Sequence, residues 1–145
     1  MADLSLISPA STHIHTALNL FIITDGQHMK RNFNLVRKIL LAAEEQDASR
    51  NPPITPKGYP IGEIRYHIKI MLDGGLIIER QHPELDPSMR TFDGMTWEGH
   101  EFLDSIREQS FWTEVQKTIK EKGLPMTVET IRAVVSLFVS ARLGA

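Results

Sequence analysis

The chain has 145 residues, of which 41% are hydrophobic and 23% are charged, a balance that suits one globular domain with a core and an additional segment. It contains no cysteine, which excludes disulfides, thiolate metal sites and a cysteine nucleophile. Sixteen Lys and Arg face eighteen Asp and Glu, so the formal charge of −2 excludes nucleic-acid binding through a general basic excess, and any such contact must come from a local patch.

Residues 1–28 differ from the rest of the chain, because they contain no Lys or Arg and hold the apolar run ALNLFII at 17–23. That run is too short to span a bilayer, and the near absence of charge before it does not fit a secretory signal. We therefore predict no membrane partner and a cytoplasmic location. Periodicity fits either a helix or a strand here. Residues 1–28 are therefore predicted to be an N-terminal extension whose secondary structure is undecided, ahead of a domain over 29–145.

The first predicted helix covers 32–46, where apolar residues recur at steps of three and four. Arg37 and Lys38 are assigned to its polar face. A proline-rich connection follows, and it leaves room for one short strand near Ile54 or Tyr59 but for no full helix.

A second helix is predicted over 61–73. Its buried stripe is expected to consist of Ile61, Ile64, Ile68, Met71 and Leu72. Its exposed side is expected to carry Arg65, Tyr66 and Lys69. Gly74 and Gly75 end the helix, because a helix end often needs a left-handed residue and glycine adopts that conformation without steric cost.

The stretch 76–95 is predicted to form a two-stranded hairpin with a long tip, with strands at 76–80 and 89–92. Thr96 is a candidate N-cap for the helix that follows.

Two further helices are predicted. The first covers 111–122, and the second is capped by Thr127 and ends near 143. Trp97 and Trp112 are expected to pack in the core or between the C-terminal helices. The apolar stripe of the last helix fits either the core of the monomer or a dimer seam. We predict a homodimer, because winged-helix proteins with C-terminal helices often pair through those helices.

The predicted order of elements is helix, short strand, helix, two-stranded wing and C-terminal helices, which is the order found in a winged helix. The predicted fold class is therefore α+β, mainly α. In such domains the second helix can enter the major groove while the wing reaches the neighbouring backbone. The candidate DNA-binding residues are Arg65, Tyr66 and Lys69 on the second helix, Arg80 and Arg90 beside the wing, and Lys30 and Arg31 before the first helix.

Three blocks of the chain resemble the bacterial and phage family known as domain of unknown function 2513. They are MKRNFNLVRKILLAAEE at 29–45, GYPIGEIRYHIKIMLDGGLI at 58–77 and MTWEGHEFLDSIRE at 95–108. The resemblance covers the chain from about residue 29 to its C-terminus. It implies a winged-helix-like fold and a prokaryotic or prophage origin, and it implies no particular activity.

The remaining polar residues do not form a recognised catalytic pattern. His67 lies near the apolar stripe of the second helix and is expected to be a hydrogen-bonded histidine at the edge of the core. No catalytic residues, metal site or cofactor are predicted, and an enzyme is not expected.

The sequence therefore predicts a DNA-binding winged-helix protein that acts as a prokaryotic or phage transcriptional regulator. The alternative is an adaptor or inhibitor that binds another protein, which the near-neutral charge and the proline-rich segment ahead of the second helix would allow.

Overall fold

The computed structural model describes residues 30–46, 53–80 and 91–144. The chain divides into two units, Met1–Arg31 and Asn32–Ala145, and every described helix and strand belongs to the second unit. The predicted extension over 1–28 lies outside the described residues, so its boundary with the domain stays a prediction.

Five helices and one small antiparallel sheet make up the described part of the second unit. In chain order they are α1 (Phe33–Glu44), α2 (Ile61–Asp73), β1 (Ile77–Glu79), β2 (Phe92–Met95), α3 (Trp97–Ser105), α4 (Gln109–Glu121) and α5 (Val128–Leu143). The α+β, mainly α class is confirmed. Strand β2 begins three residues later than predicted.

The predicted short strand near Ile54 or Tyr59 is wrong, because the described residues 53–60 contain none. Proline has no N–H to donate to a strand ladder, and Pro53 and Pro56 flank Ile54. The side chain of Ile54 is nevertheless buried, so this connection contributes to the core without regular hydrogen bonding.

Helix α1 begins at a capped position and packs an apolar face into the core. The Asn32 side chain accepts hydrogen bonds from the backbone N–H groups of Asn34 and Leu35, at 3.0 and 3.3 Å. The buried hydrophobic residues of the helix are Phe33, Leu35, Val36, Ile39 and Leu40.

The assignment of Arg37 to the polar face of α1 is wrong, because this residue is only 8% exposed. Its Nε donates to the carbonyl oxygen of Ile106 at 2.8 Å, one terminal nitrogen donates to the side chain of Gln109 at 2.9 Å, and the other donates to the carbonyl of Arg107. Burial lowers the pKa of Arg37, and the charge of Glu108 opposes that shift. The guanidinium satisfies carbonyl groups that the end of α3 leaves without intrahelical partners.

Helix α2 ends in a hydrogen-bonded glycine turn that leads directly into β1. Gly75 has φ +72°, its N–H donates to the carbonyl of Leu72 at 3.1 Å, and the N–H of Leu76 donates to that of Met71 at 2.9 Å. This pair of bonds defines a Schellman motif, in which glycine takes the left-handed position without steric cost. The predicted glycine stop is confirmed, and Gly75 is the left-handed residue.

The base of the hairpin is joined to α3 through Thr96. The Thr96 N–H donates to the carbonyl of Leu76 at 3.1 Å, and its hydroxyl donates to the carbonyl of Gly75 at 2.6 Å. The same hydroxyl accepts from the N–H of Gly99 at 3.0 Å, which confirms the predicted cap. The start of α3 is therefore fixed against the turn that ends α2.

The two tryptophans have opposite environments. Trp112 is 1% exposed, and its Nε1 donates to the Asn34 side chain at 2.7 Å, so its predicted core position is confirmed. The same prediction for Trp97 is wrong, because Trp97 is 78% exposed. In α3 the inward side is set by Phe102, Leu103 and Ile106, and at 100° per residue Trp97 lies on the opposite side of the helix.

Helix α5 packs on α4 through one side only. Thr127 caps it by accepting from the N–H of Thr130 at 3.1 Å, as predicted. Ile131 and Val134 are buried, and the rings of Phe111 and Phe138 meet edge to face with centroids 5.9 Å apart.

Among the described residues, no helix is both long enough and apolar enough to cross a membrane.

Candidate functional site

The exposed side of α2 carries two basic side chains one turn apart. Arg65 and Lys69 are exposed, and residues four apart in a helix have neighbouring side chains, with Cβ atoms about 6 Å apart. Tyr66 is half-buried beside them. The second helix thus brings together the three residues that the sequence assigned to it.

Arg65 differs from the other arginines described in the second unit, because each of those has a polar partner. Arg37 binds carbonyl groups, Arg80 pairs with Asp93, Arg107 with Glu44 and Asp104, Arg132 with Glu98, and Arg142 with Glu114. No described residue pairs with Arg65. Its guanidinium is therefore available to an external ligand without first breaking an ion pair.

Arg107 makes several contacts with carboxylates. Its two terminal nitrogens lie 2.6 and 2.8 Å from the two carboxylate oxygens of Glu44, and one of them also lies 2.7 Å from Asp104. The hydrogen bonds from Arg107 lower the pKa of Glu44. This guanidinium has a bidentate partner already, which Arg65 lacks.

His67 fixes the orientation of α2 from below its exposed side. Its side chain is fully buried, its Nε2 accepts from the backbone N–H of Asn32 at 2.8 Å, and its Nδ1 donates to the carbonyl of Glu63 at 2.8 Å. These partners require the neutral tautomer with the proton on Nδ1. The ring of Tyr66 meets the His67 ring edge to face at 5.6 Å. The expectation of a hydrogen-bonded histidine is confirmed, although it lies inside the core and not at its edge.

The predicted basic residues of the wing are less accessible than those of α2. Arg80 is partly buried, and its Nε lies 2.5 Å from Asp93 on the opposite strand, so the pair joins the two strands. Within the part of the chain that the structure describes, its terminal nitrogens are the atoms left for another ligand. Arg90 lies outside the described residues. Lys30 and Arg31 are exposed and belong to the first unit.

The surface around Arg65 and Lys69 also carries acidic and apolar side chains. Asp73 at the end of α2 and Glu79 at the end of β1 are exposed carboxylates. Ile61, predicted to be buried, is 53% exposed, because it occupies the first turn of α2 where the stripe has not yet reached the core. Ile78 is exposed as well, opposite Gly94 in the sheet.

In the described ranges, no group of three His, Asp or Glu side chains is placed to hold a metal ion.

Comparison with known proteins gives two matches. The model of the family described as "Hypothetical protein (DUF2513)" matches residues 30–125, which include α1 to α4 and end before α5. A protein of Haemophilus influenzae, described as uncharacterized, is 34% identical over 118 residues, which is 80% of this chain and 100% of that protein. No solved structure matches the chain, so the winged-helix assignment stays a prediction.

Proposed function

The chain belongs to the family described as Hypothetical protein (DUF2513), and for this member we propose a winged-helix protein that binds duplex DNA and acts as a transcriptional regulator. In this proposal, helix α2 and the predicted wing over 76–95 contact the duplex. The family description assigns no activity, so the proposal depends on the surface of this chain.

The single observation that supports the proposal best is the unpaired state of Arg65 among the described residues. Arginine is the side chain that most often reads guanine in the major groove, and it also binds phosphate through a planar fork. Lys69 follows one turn later on the same side of α2, so both charges can meet one groove or one phosphate row. His67 joins that helix to the start of α1, because its Nε2 accepts from the backbone N–H of Asn32.

The test compares two double variants that change the net charge equally. We expect Arg65→Ala with Lys69→Ala to weaken duplex binding about 100-fold and to reduce the salt slope by about 2, because two DNA contacts are lost. Lys120→Ala with Lys122→Ala, on exposed positions at the end of α4, is the matched control and should change binding little. Fluorescence anisotropy with a labelled duplex at several salt concentrations measures both.

Three outcomes count against the proposal. Unchanged binding in the Arg65 and Lys69 variant rejects this face. An equal loss in the Lys120 and Lys122 control shows that bulk charge alone drives binding. A wild-type chain that binds no duplex even at low salt rejects the DNA-binding function.

A second candidate is an adaptor that binds another protein through the same face. The specific observation in its favour is that exposed Ile61 and Ile78 and the carboxylates of Asp73 and Glu79 accompany the two basic residues. Purification of the chain from its host with its bound material separates the two candidates. Co-purified DNA supports the regulator, whereas a stoichiometric protein supports the adaptor.

We further propose the homodimer, with α5 as its seam. Val139 and Leu143 are exposed one turn apart on that helix, which leaves apolar side chains for a second copy. Sedimentation equilibrium of the full chain and of Val139→Ser tests the seam, and a monomeric wild-type chain at micromolar concentration would reject it.

A further inference from the structure

Trp97 is a large apolar side chain that the described core does not use. It is the first residue of α3 and is 78% exposed, whereas the described core is built from eighteen buried hydrophobic residues that include Trp112. Exposed tryptophan is enriched at the centres of binding surfaces, because it offers a large area that loses little conformational entropy on binding.

The backbone that carries Trp97 is rigidly held. Thr96 caps α3 and bonds to the turn after α2, and the backbone of Gly99 lies so close to Leu76 that a Cβ would be 2.1 Å from the Leu76 carbonyl oxygen. Glu98 pairs with Arg132 of α5 at 2.7 Å. A partner would therefore meet an indole whose anchoring backbone is already ordered, which lowers the entropic cost of binding.

One unpaired carboxylate shares the exposed side of α3 with Trp97. Glu101 lies four residues later, so its side chain is the neighbour of Trp97 on the helix surface, and no described residue pairs with it. The other two carboxylates of α3 are neutralised, Glu98 by Arg132 and Asp104 by Arg107. The negative charge that remains on this helix is therefore the one beside the indole.

We propose that Trp97 and Glu101 form a docking site for an arginine in a basic segment of a partner protein. A guanidinium stacks on the face of an indole and at the same time donates to a carboxylate, and the spacing of one helical turn suits both contacts. The Glu101 carboxylate repels phosphate, so this site favours a peptide over nucleic acid. The proposal goes beyond DNA binding by α2 and does not depend on it.

The experiment uses the full chain and a short peptide of alternating arginine and glycine as the probe. We expect the peptide to change the fluorescence of the exposed indole in the wild type. Because Trp97→Leu removes that indole, isothermal titration calorimetry compares the variants, and both Trp97→Leu and Glu101→Gln should weaken peptide binding about tenfold. The same peptide with citrulline in place of arginine keeps the shape without the charge and should not bind. Glu45→Gln, which removes an exposed carboxylate at the end of α1, is the matched charge control and should bind as the wild type does.

Trp97→Leu is expected to remain folded, because the side chain lies outside the core, and the emission of Trp112 reports this directly. Equal binding of the peptide by Trp97→Leu or an equal loss in Glu45→Gln overturns the proposal. Binding of the citrulline peptide as tightly as the arginine peptide, or no binding of the arginine peptide, also overturns it. Self-association of the wild type that is lost in Trp97→Leu assigns the site to a second copy and rejects the basic partner.

Discussion

Gly99→Ala is expected to lower the free energy of unfolding by about 3 kcal/mol, the upper range for an overpacked contact that cannot relax easily. An added Cβ would lie 2.1 Å from the carbonyl oxygen of Leu76 and 3.1 Å from the carbonyl carbon of the same residue. Distances this short require the backbone at Gly99 or at Leu76 to move. Leu76 is itself fixed, because its carbonyl accepts from the N–H of Thr96 and its N–H donates to Met71. The clash therefore cannot be relieved by turning a side chain.

Chemical denaturation of Gly99→Ala and Gly62→Ala measures this effect against a matched control. Gly62 is also helical, but a Cβ there meets nothing within 4 Å, so alanine should stabilise α2 by about 0.5 kcal/mol. Opposite signs for the same chemical change would identify the approach of α3 to Leu76 as the cause. A loss below about 1 kcal/mol in Gly99→Ala would show that the hairpin and α3 can separate at little cost.

Arg37→Leu is expected to lower the free energy of unfolding by about 3 kcal/mol, because it removes three charge-assisted hydrogen bonds from a buried site. The carbonyl groups of Ile106 and Arg107 and the Gln109 side chain all lose their Arg37 donor. Leucine fills part of the volume but supplies no donor, so the buried carbonyls keep their desolvation cost.

The informative comparisons are Arg37→Lys and Lys38→Leu. Lysine keeps the charge but not the planar fork, so Arg37→Lys should recover only a minor part of the loss. Lys38 is exposed and lies 5.0 Å from the centre of the Tyr59 ring, a contact worth about 1 kcal/mol or less. Thermal or urea unfolding of the three variants checks the order. If Arg37→Leu were no less stable than Lys38→Leu, the buried guanidinium would have no structural role.

Several helix ends were predictable from the sequence. The glycine stop after α2, the cap at Thr96 and the cap at Thr127 follow from short-range chemistry, because the residue and its partners lie within a few positions of each other. The prediction of a hydrogen-bonded His67 was also possible from its place beside the apolar stripe. Its partner at Asn32, thirty-five residues away, was not visible in any local pattern.

Helical periodicity predicts the position of Trp97 better than the general burial preference of tryptophan does. Trp97 was assigned to the core because tryptophan is usually buried, yet its angle relative to Phe102 and Leu103 places it on the outer side of α3. For Arg37 the opposite rule failed, since arginine is usually exposed. Its burial depends on the carbonyls of the turn at Ile106, which approach α1 only in the folded chain.

The sequence by itself determined the fold class, the order of the helices and of the two paired strands, and the helix boundaries that glycine and threonine set, because these depend on interactions between near neighbours. Only the tertiary structure decided which charges are free. Arg65 and Arg107 look alike in the sequence, but Glu44 meets Arg107 across sixty-three residues and no described carboxylate meets Arg65. Ion pairing depends on distances of a few ångströms between remote segments, and for that reason the candidate site depends on the fold.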